Sequence, residues 1–305
     1  MAAEACAPPI QAVVSYTGHP SEGKRAGRLV DAERWAKLRQ ALATSEFDEH
    51  DKLMDDDIAK QVEVHDARRI LPAPTLDTMG FELRPSPSSI TEWLRTPETI
   101  AAACAEAEDL VRKALPGAKD LVAFDNTWRS SLRSNFDSSV GGSSPFSSAV
   151  ARVHTDFTST SALEKVKQLV EQDKIGAHFA DGSRFRRAIV NVWRAYGGGE
   201  CCTSAPLAVI DPATVVDSSC FPYALVHEKQ AGINGSISFH ESHKWYFFPQ
   251  MRPDETLLFY NFEEGIDGNA SRSVYHAALD AASAQHELPP GRLSVEVRVL
   301  VLFER

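Results

Sequence analysis

The hydrophobic pattern of the chain changes character near its middle. In the second half, short apolar runs rich in β-branched and aromatic residues alternate with Gly, Pro and Asp, which is typical of strands separated by turns. These runs predict strands at 187–193, 207–210, 245–248, 256–262, 273–279 and 294–303. Because helical segments are rare between them, the pattern favours a mainly β fold, a sandwich or jelly roll with helices packed outside, over a doubly wound α/β fold.

The first half mixes strands with two predicted helices. Alternation predicts strands at 10–16 and 61–65. Thr96 and Pro97 are suited to begin a helix over 96–115, and Ser161 with Glu164 forms a candidate capping box for a second helix. We expect one α+β domain over 1–305, in which 1–137 form an α/β flank and 150–305 a jelly-roll core; the Ser/Gly-rich stretch 138–148 is a candidate lid.

Charge and cysteine content narrow the class of partner. Lys and Arg number 32 against 42 Asp and Glu, a net charge of -10, which disfavours binding to nucleic acid or anionic membranes. The sequence shows neither a secretory signal nor a membrane-length apolar run, and its five cysteines contain no CxxC pair. We therefore expect a cytoplasmic protein with reduced thiols that acts on a small molecule; the sequence leaves a homodimer open.

The candidate chemistry begins at His154 and Asp156. Residues two apart on a strand point to the same side, so the imidazole and the carboxylate can converge on one cation. Two histidines and one carboxylate leave open positions on a metal, an arrangement that suits iron(II). His276, inside an apolar strand where an unpaired ring would be costly, is the preferred third ligand. His243 is the alternative.

A second group of residues is suited to bind a carboxylate such as that of 2-oxoglutarate. Arg292 and Ser294 lie two apart at the start of the last predicted strand, and an arginine fork matches a carboxylate. Arg298, on the same strand face, is the substitute for Arg292. Asn191 is an unusual residue inside a strand and could donate to a bound carboxylate. An exposed Asn191 and a solvent-facing Arg292 remain the simple alternatives.

Three aromatic residues, Trp193, Tyr246 and Phe248, are candidates for a substrate pocket. Aromatic residues at such spacing belong more often to a plain hydrophobic core.

Five segments in order resemble the AsaB-like hydroxylase/desaturase family of fungal secondary metabolism. They are 62–68 with 76–81, 152–156, 191–194 with 206–208, 243–249 with 254–255, and 275–277 with 292–298.

The resemblance implies a double-stranded β-helix (cupin-like jelly roll) and an iron(II)/2-oxoglutarate-dependent dioxygenase that consumes O2. It implies iron at His154, Asp156 and His276, and 2-oxoglutarate near Arg292. Such an enzyme hydroxylates, desaturates or cyclises a small organic substrate. Ala195 departs from the family's usual proline, and Tyr260 stands where a lysine is common.

Two other classes of function stay open from the sequence. The glycines at 197–199 follow a strand, as in an S-adenosylmethionine-dependent methyltransferase, but no helix pattern follows them. A jelly roll that binds a small molecule without turnover is the second. A zinc hydrolase with the same ligands is less favoured, because no carboxylate lies beside His154 and Asp156 as an obvious base.

Overall fold

A computed structural model describes residues 9–20, 24–29, 52–130, 150–197, 201–202, 204–226, 231–265, 272–279 and 292–305. Within these ranges the strands are β1 (Ile10–Thr17), β2 (Lys24–Leu29), β3 (Lys52–Met54), β4 (Asp57–Asp66), β5 (Phe81–Pro85), β6 (Asp120–Ser130), β7 (His154–Thr155), β8 (Phe185–Gly197), β9 (Leu207–Ile210), β10 (Cys220–Val226), β11 (Ala231–Ile237), β12 (Trp245–Phe247), β13 (Glu255–Glu263), β14 (His276–Ala278) and β15 (Leu293–Glu304). The α-helices are α1 (Leu76–Met79), α2 (Pro97–Ala114) and α3 (Ser159–Glu171). The candidate lid at 138–148 lies outside the described residues.

Two sheets face each other and form the jelly roll. One has the strand order β5-β13-β8-β15-β6, and the other contains β12-β9-β14-β7 in its centre. The chain crosses between the two sheets at each step from β6 to β9 and again from β12 to β15, whereas β9 to β12 all lie in the larger sheet. This is the topology of a double-stranded β-helix, and it confirms the predicted fold class.

The larger sheet extends beyond the jelly roll and curls around a second core. β1 pairs with β4 and also bonds to the segment before β7, through Ser15 N to the Ala151 carbonyl at 3.2 Å. The enclosed core contains the fully buried Tyr16 and Trp245. The segment of the first half that the sequence assigned to a flank therefore contributes strands to both sheets.

The two long helices cover the jelly roll from outside. Thr96 caps α2 and Pro97 is its first residue, as predicted, and α2 buries Ala103, Ala107 and Val111 against the outer face of the smaller sheet. The prediction for α3 was wrong about its start. Thr158 is the cap, and Ser161 is the reciprocal partner of Thr158 rather than the capping residue itself.

The predicted strand at 273–279 is shorter in the structure, because its first half belongs to the other sheet. Val274 N bonds to the Tyr260 carbonyl of β13 at 2.8 Å, and Arg272 forms a bridge with Glu263. Only after this crossing does the chain enter β14, which begins at His276. After this crossing, His276 lies on the inner face of the larger sheet and faces β13 of the smaller sheet.

Within the part of the chain that the structure covers, none of the helices combines the length and the apolar character needed to cross a membrane. Cys104, Cys201, Cys202 and Cys220 are all free thiols.

Candidate active site

A row of side chains on the larger sheet points into the jelly roll. His154 pairs with His276, His276 pairs with Val209, and Val209 pairs with Tyr246. Directly paired residues on neighbouring strands share a face. The opposite sheet is close, because the Phe259 ring of β13 lies 4.8 Å from the His276 ring. The two imidazoles therefore lie between the sheets.

The inner face of the smaller sheet carries two matching rows. At the level of the histidines, β13, β8, β15 and β6 contribute Phe259, Asn191, Arg298 and Asp125. One step along the strands, the same order contributes Leu257, Trp193, Glu296 and Thr127. Each row is apolar at β13 and charged at β15, and β6 adds the carboxylate of Asp125 to the first row and the hydroxyl of Thr127 to the second. The interior thus has an apolar half and a charged half.

The three predicted ligands meet in this interior. Candidate donor atoms of His154, Asp156 and His276 all lie within 4.8 Å of one another. Nδ1 of His154 is 2.7 Å from the Arg152 carbonyl, and Nδ1 of His276 is 3.1 Å from the Val274 carbonyl. A carbonyl only accepts, so Nδ1 donates in both rings and each Nε2 keeps a free lone pair for a cation.

Asp156 reaches the site differently from the prediction. β7 ends at Thr155, so Asp156 is not on a strand face with His154. Its Oδ2 accepts from Nδ2 of Asn191 at 3.0 Å, from Nε of Arg298 at 2.9 Å and from Nδ2 of Asn261. Its Oδ1 lies 3.7 Å from Nε2 of His154. One carboxylate oxygen is saturated by donors, and the other faces the imidazoles.

Burial and charge set the protonation of the group. Burial, with the neighbouring His276, lowers the pKa of His154 to about 4, and burial also lowers the pKa of His276. Arg298 and the two imidazoles hold the pKa of Asp156 below its usual range, against the opposing effect of burial. At neutral pH the cluster therefore offers two neutral imidazoles and one carboxylate, the forms that bind metal.

Arg292 and Ser294 form the second predicted group, and both are buried with unused polar atoms. Nη1 of Arg292 donates to the Ala205 carbonyl at 2.5 Å, while Nε of Arg292 and Oγ of Ser294 are buried without a partner. Among the described residues no carboxylate forms a salt bridge with Arg292, and its guanidinium lies 5.6 Å from the centre of the Trp193 ring. Burial lowers its pKa to about 10, so it stays charged at neutral pH.

Unpartnered buried donors are costly, and a carboxylate would satisfy both of them. The residues present therefore fit an anionic ligand at Arg292 and Ser294, just as the imidazole and carboxylate donors fit a divalent cation.

Arg298 and Asn191 do contact a carboxylate, but it is that of Asp156. Arg298 also donates to Asp125 at 2.7 Å, to Thr127 at 3.2 Å and to Glu296 at 2.8 Å. These bonds use most of its donors. The prediction that either residue binds 2-oxoglutarate directly stays untested, whereas both lie where they can orient a metal ligand.

The three predicted pocket aromatics occupy different positions. Trp193 is on the inner face beside Arg292, and Tyr246 is on the inner face with its ring 6.1 Å from Phe81. Phe248 is buried after the end of β12 and packs edge-on against Phe81 at 6.3 Å. Trp193 and Tyr246 can border a cavity, and Phe248 supports the wall behind them.

Sequence reasoning missed Asn261 and gave Glu296 no role. Asn261 is fully buried and bonded to Asp156, and Glu296 is a buried acid bonded to Arg298. The signal for Asn261 was available, because it is an amide inside an apolar strand, the same anomaly that singled out Asn191. The alternative ligand His243 lies elsewhere, 3.2 Å from the Tyr16 hydroxyl.

The chain matches a family model described as "Oxidoreductase/YMDC permease-like domain" over residues 29–302. It is 27% identical to "Alpha-ketoglutarate-dependent dioxygenase phiK" of Fungal sp. (strain ATCC 74256), over 75% of this chain and 79% of that protein. It is 30% identical to "Hydroxylase/desaturase asaB" of Aspergillus flavus, over 39% of this chain and 56% of that protein.

A solved structure has the same fold. The "iron and alpha-ketoglutarate-dependent endoperoxidase NvfI" aligns with a TM-score of 0.69 and 20% identity, over 98% of this chain and 100% of that one. The fold, the family model and the named relatives agree with the resemblance read from the motifs. The chain belongs to this oxidoreductase family and is an AsaB-like hydroxylase/desaturase of the iron(II)/2-oxoglutarate-dependent dioxygenase type.

Proposed function

We propose that this dioxygenase oxidises a small organic substrate, with iron(II) bound by His154, Asp156 and His276 and 2-oxoglutarate bound by Arg292 and Ser294. The observation that carries the proposal is the convergence of the three donor groups, with Nε2 of each imidazole and Oδ1 of Asp156 left free. The bound groups would supply the oxidation itself, which couples activation of O2 to decarboxylation of 2-oxoglutarate to succinate and carbon dioxide.

The chain's own residues have three tasks in this reaction. The carbonyls of Arg152 and Val274 orient the two imidazoles, which fixes the tautomer before any metal arrives. Arg292 supplies a buried positive charge for the distal carboxylate, and the Trp193 ring limits where that carboxylate can lie. Burial of the whole group excludes water and strengthens these interactions.

The apolar half of the interior suits the organic substrate. Phe259 and Phe81 are fully buried there, and Tyr246 faces Phe81. A substrate bound beside His276 on this side would meet ring faces rather than charges. Hydroxylation, desaturation and cyclisation all begin with removal of hydrogen from a carbon held in this position, so the same site serves each outcome. The cytoplasmic location remains part of the proposal and is supported by the acidic composition and by the free thiols of the described cysteines.

The alternatives predict other structures or other assays. β8, which leads to the glycines at 197–199, pairs antiparallel with β13 and β15, whereas a nucleotide-binding loop of a methyltransferase follows a strand of a parallel sheet. A jelly roll that binds a small molecule without turnover would have the same structure as the enzyme and would differ only in catalytic activity. Succinate formation from 2-oxoglutarate with iron and without added substrate separates it from the enzyme.

His276→Ala and His243→Ala form a matched pair that tests the ligand assignment. His276 is the first residue of β14 and His243 lies just before β12, so each variant removes one histidine at the larger sheet. Only His276 belongs to the group of three candidate metal ligands. We expect His276→Ala to lower iron-dependent succinate formation to background and His243→Ala to retain it. The reverse result would replace His276 by His243, and loss in neither variant would contradict the site.

A further inference from the structure

Asn261 lies at an irregularity of β13 that brings its side chain to Asp156. β13 pairs regularly with β8 up to Tyr260, opposite Val190, and resumes at Phe262, opposite Ile189. Asn261 is the residue left over, which is a β-bulge. The bulge allows the Asn261 side chain to point between the sheets at the level of the histidines, while Phe262 still packs with Ile189 in the hydrophobic core.

The side-chain amide of Asn261 forms four hydrogen bonds, and three of them reach the segment that carries Asp156. Its Oδ1 accepts from Asp156 N at 3.0 Å and from Oγ1 of Thr155 at 2.7 Å. Its Nδ2 donates to Oδ2 of Asp156 and to Oδ1 of Asn191 at 3.0 Å. The side chain is fully buried, so water cannot replace these bonds.

Asp156 needs such a support because it lies just beyond β7 and has no strand partner at its own position. A carboxylate in a turn has several rotamers, and both of its oxygens can bind a metal. The three donors on Oδ2 leave Oδ1 as the oxygen that faces His154.

We infer that Asn261 is a positioning residue that holds Asp156 as a one-oxygen metal ligand, with Asn191 and Arg298 as its partners on Oδ2. The inference rests on the proposed iron site. Asn261 fixes the backbone and the carboxylate of Asp156 together, whereas Asn191 and Arg298 contact the carboxylate alone. One-oxygen binding keeps a coordination position open for the co-substrates.

The test measures binding of Mn²⁺ and Co²⁺ to the 305-residue chain without 2-oxoglutarate and without turnover. Residues that orient ligands typically change metal affinity about 10–100-fold. We expect Asn261→Ala to raise the Kd for both ions by about 10–100-fold. The visible Co²⁺ spectrum should also change, because Oδ2 then keeps only the donors of Asn191 and Arg298 and the carboxylate can rotate to bring it to the ion as a second ligand atom.

Two further variants keep the inference falsifiable if Asn261→Ala does not fold. Thr155→Val keeps the shape of Thr155 and removes only the hydroxyl that bonds to Asn261, so its Kd should rise by a smaller factor in the same direction. Thr256→Val is the matched control, since Thr256 is fully buried on the same strand with no bond to its hydroxyl. Its affinity and Co²⁺ spectrum should equal those of the wild type.

Asp156→Ala separates failure of this inference from failure of the iron site. If Asp156→Ala loses metal binding while Asn261→Ala keeps the wild-type Kd and Co²⁺ spectrum, Asn261 has no positioning role and the proposed iron site stands. Where Asn261→Ala does not fold, Thr155→Val takes its place in this comparison. If Asp156→Ala binds both ions like the wild type, the proposed iron site itself is wrong. Weaker binding by Thr256→Val equal to that of Asn261→Ala would assign the effect to general loss of packing and contradict the inference.

Discussion

The two halves of the jelly-roll interior are built from the same strands but differ in chemistry. On the side of β15 and β6, Arg298, Glu296 and Asp125 form a linked set of charges, each with a partner. On the side of β13 and β5, Phe259 and Phe81 are fully buried apolar rings. The histidines lie at the boundary, where one face of the metal site meets charges and the other meets rings.

The difference shows how one interior can bind two unlike molecules. A dianionic co-substrate needs a desolvated cation that no internal carboxylate neutralises, and among the described residues Arg292 meets that requirement. Arg298, which also lies in the interior, is neutralised by Asp156 and Glu296. The carboxylates thus keep Arg298 in a structural role and leave Arg292 for the ligand.

Arg292→Leu should produce the largest effect on the charged half. Loss of a buried, hydrogen-bonded charge pair costs about 2–5 kcal/mol, which corresponds to a rise of at least roughly 30-fold in the Kd for 2-oxoglutarate. The Kd is measured by calorimetry with Mn²⁺ in place of iron. Arg298→Leu is not a suitable control, because it removes a donor from Asp156. Arg252→Leu changes an exposed arginine instead and should leave the Kd for 2-oxoglutarate unchanged. An unchanged Kd in Arg292→Leu would contradict the assignment.

Tyr246→Ala should affect the apolar half alone. Removing the ring enlarges the cavity and weakens binding of a neutral apolar fluorophore, N-phenyl-1-naphthylamine, by roughly tenfold, as expected for a lost contact of about 1–2 kcal/mol. Its Kd for 2-oxoglutarate should match the wild type, the opposite of Arg292→Leu. Tyr246→Phe is the control and should bind the fluorophore normally. If Tyr246→Ala and Arg292→Leu each weakened the binding of the fluorophore and of 2-oxoglutarate equally, the interior would not have separate apolar and charged halves.

Ser294→Ala tests the second unpartnered donor on the charged half. A single hydrogen bond to a charged group contributes about 1.5 kcal/mol, so the Kd for 2-oxoglutarate should rise about tenfold. Ser294→Thr, which keeps a hydroxyl, should bind better than the alanine variant. Equal affinity of Ser294→Ala and wild type would place the distal carboxylate away from β15.

The smallest expected effect is on the pH dependence of unfolding. Burial raises the pKa of Glu296 above its ordinary value, so between the ordinary and the raised pKa the native state holds a proton that the unfolded chain has lost. Stability therefore falls as pH rises through the raised pKa, and Glu296→Gln should flatten that slope in urea titrations.

Glu255, bonded to Arg68, is the control of opposite sign. Its pKa is lowered, chiefly by the Arg68 side chain, so its contribution is complete above 4.5 and is lost as pH falls through the native value. Glu255→Gln should remove stability that the wild type loses only in acid. Identical slopes in both variants would contradict the division between a paired acid outside the cavity and a desolvated acid within it.

Sequence alone identified β8, β9, β13 and β15, but it missed other strands, among them β5, β10 and β6. β9 was predicted with its observed bounds, because all four residues are buried. β6 was missed, since Asp125, Thr127 and Arg129 alternate along it and resemble a solvated face although they point into the protein. A polar interior hides a strand from hydrophobic patterning.

The same reasoning explains which site residues were found. His276 and Asn191 were singled out as polar residues inside apolar strands, and both lie at the site. Asp156 was placed on a strand, whereas the chain has already turned away and Asn261 holds it from β13. Contacts between residues about a hundred positions apart depend on strand register, which no local pattern specifies.

The most direct measurement is a crystal structure of the protein with Mn²⁺ and 2-oxoglutarate, with the metal located by anomalous scattering. The account predicts one anomalous peak bounded by Nε2 of His154, Oδ1 of Asp156 and Nε2 of His276, with the distal carboxylate of 2-oxoglutarate on Nε of Arg292 and Oγ of Ser294. A peak beside His243, or one touching only one of the three proposed ligands, would contradict it.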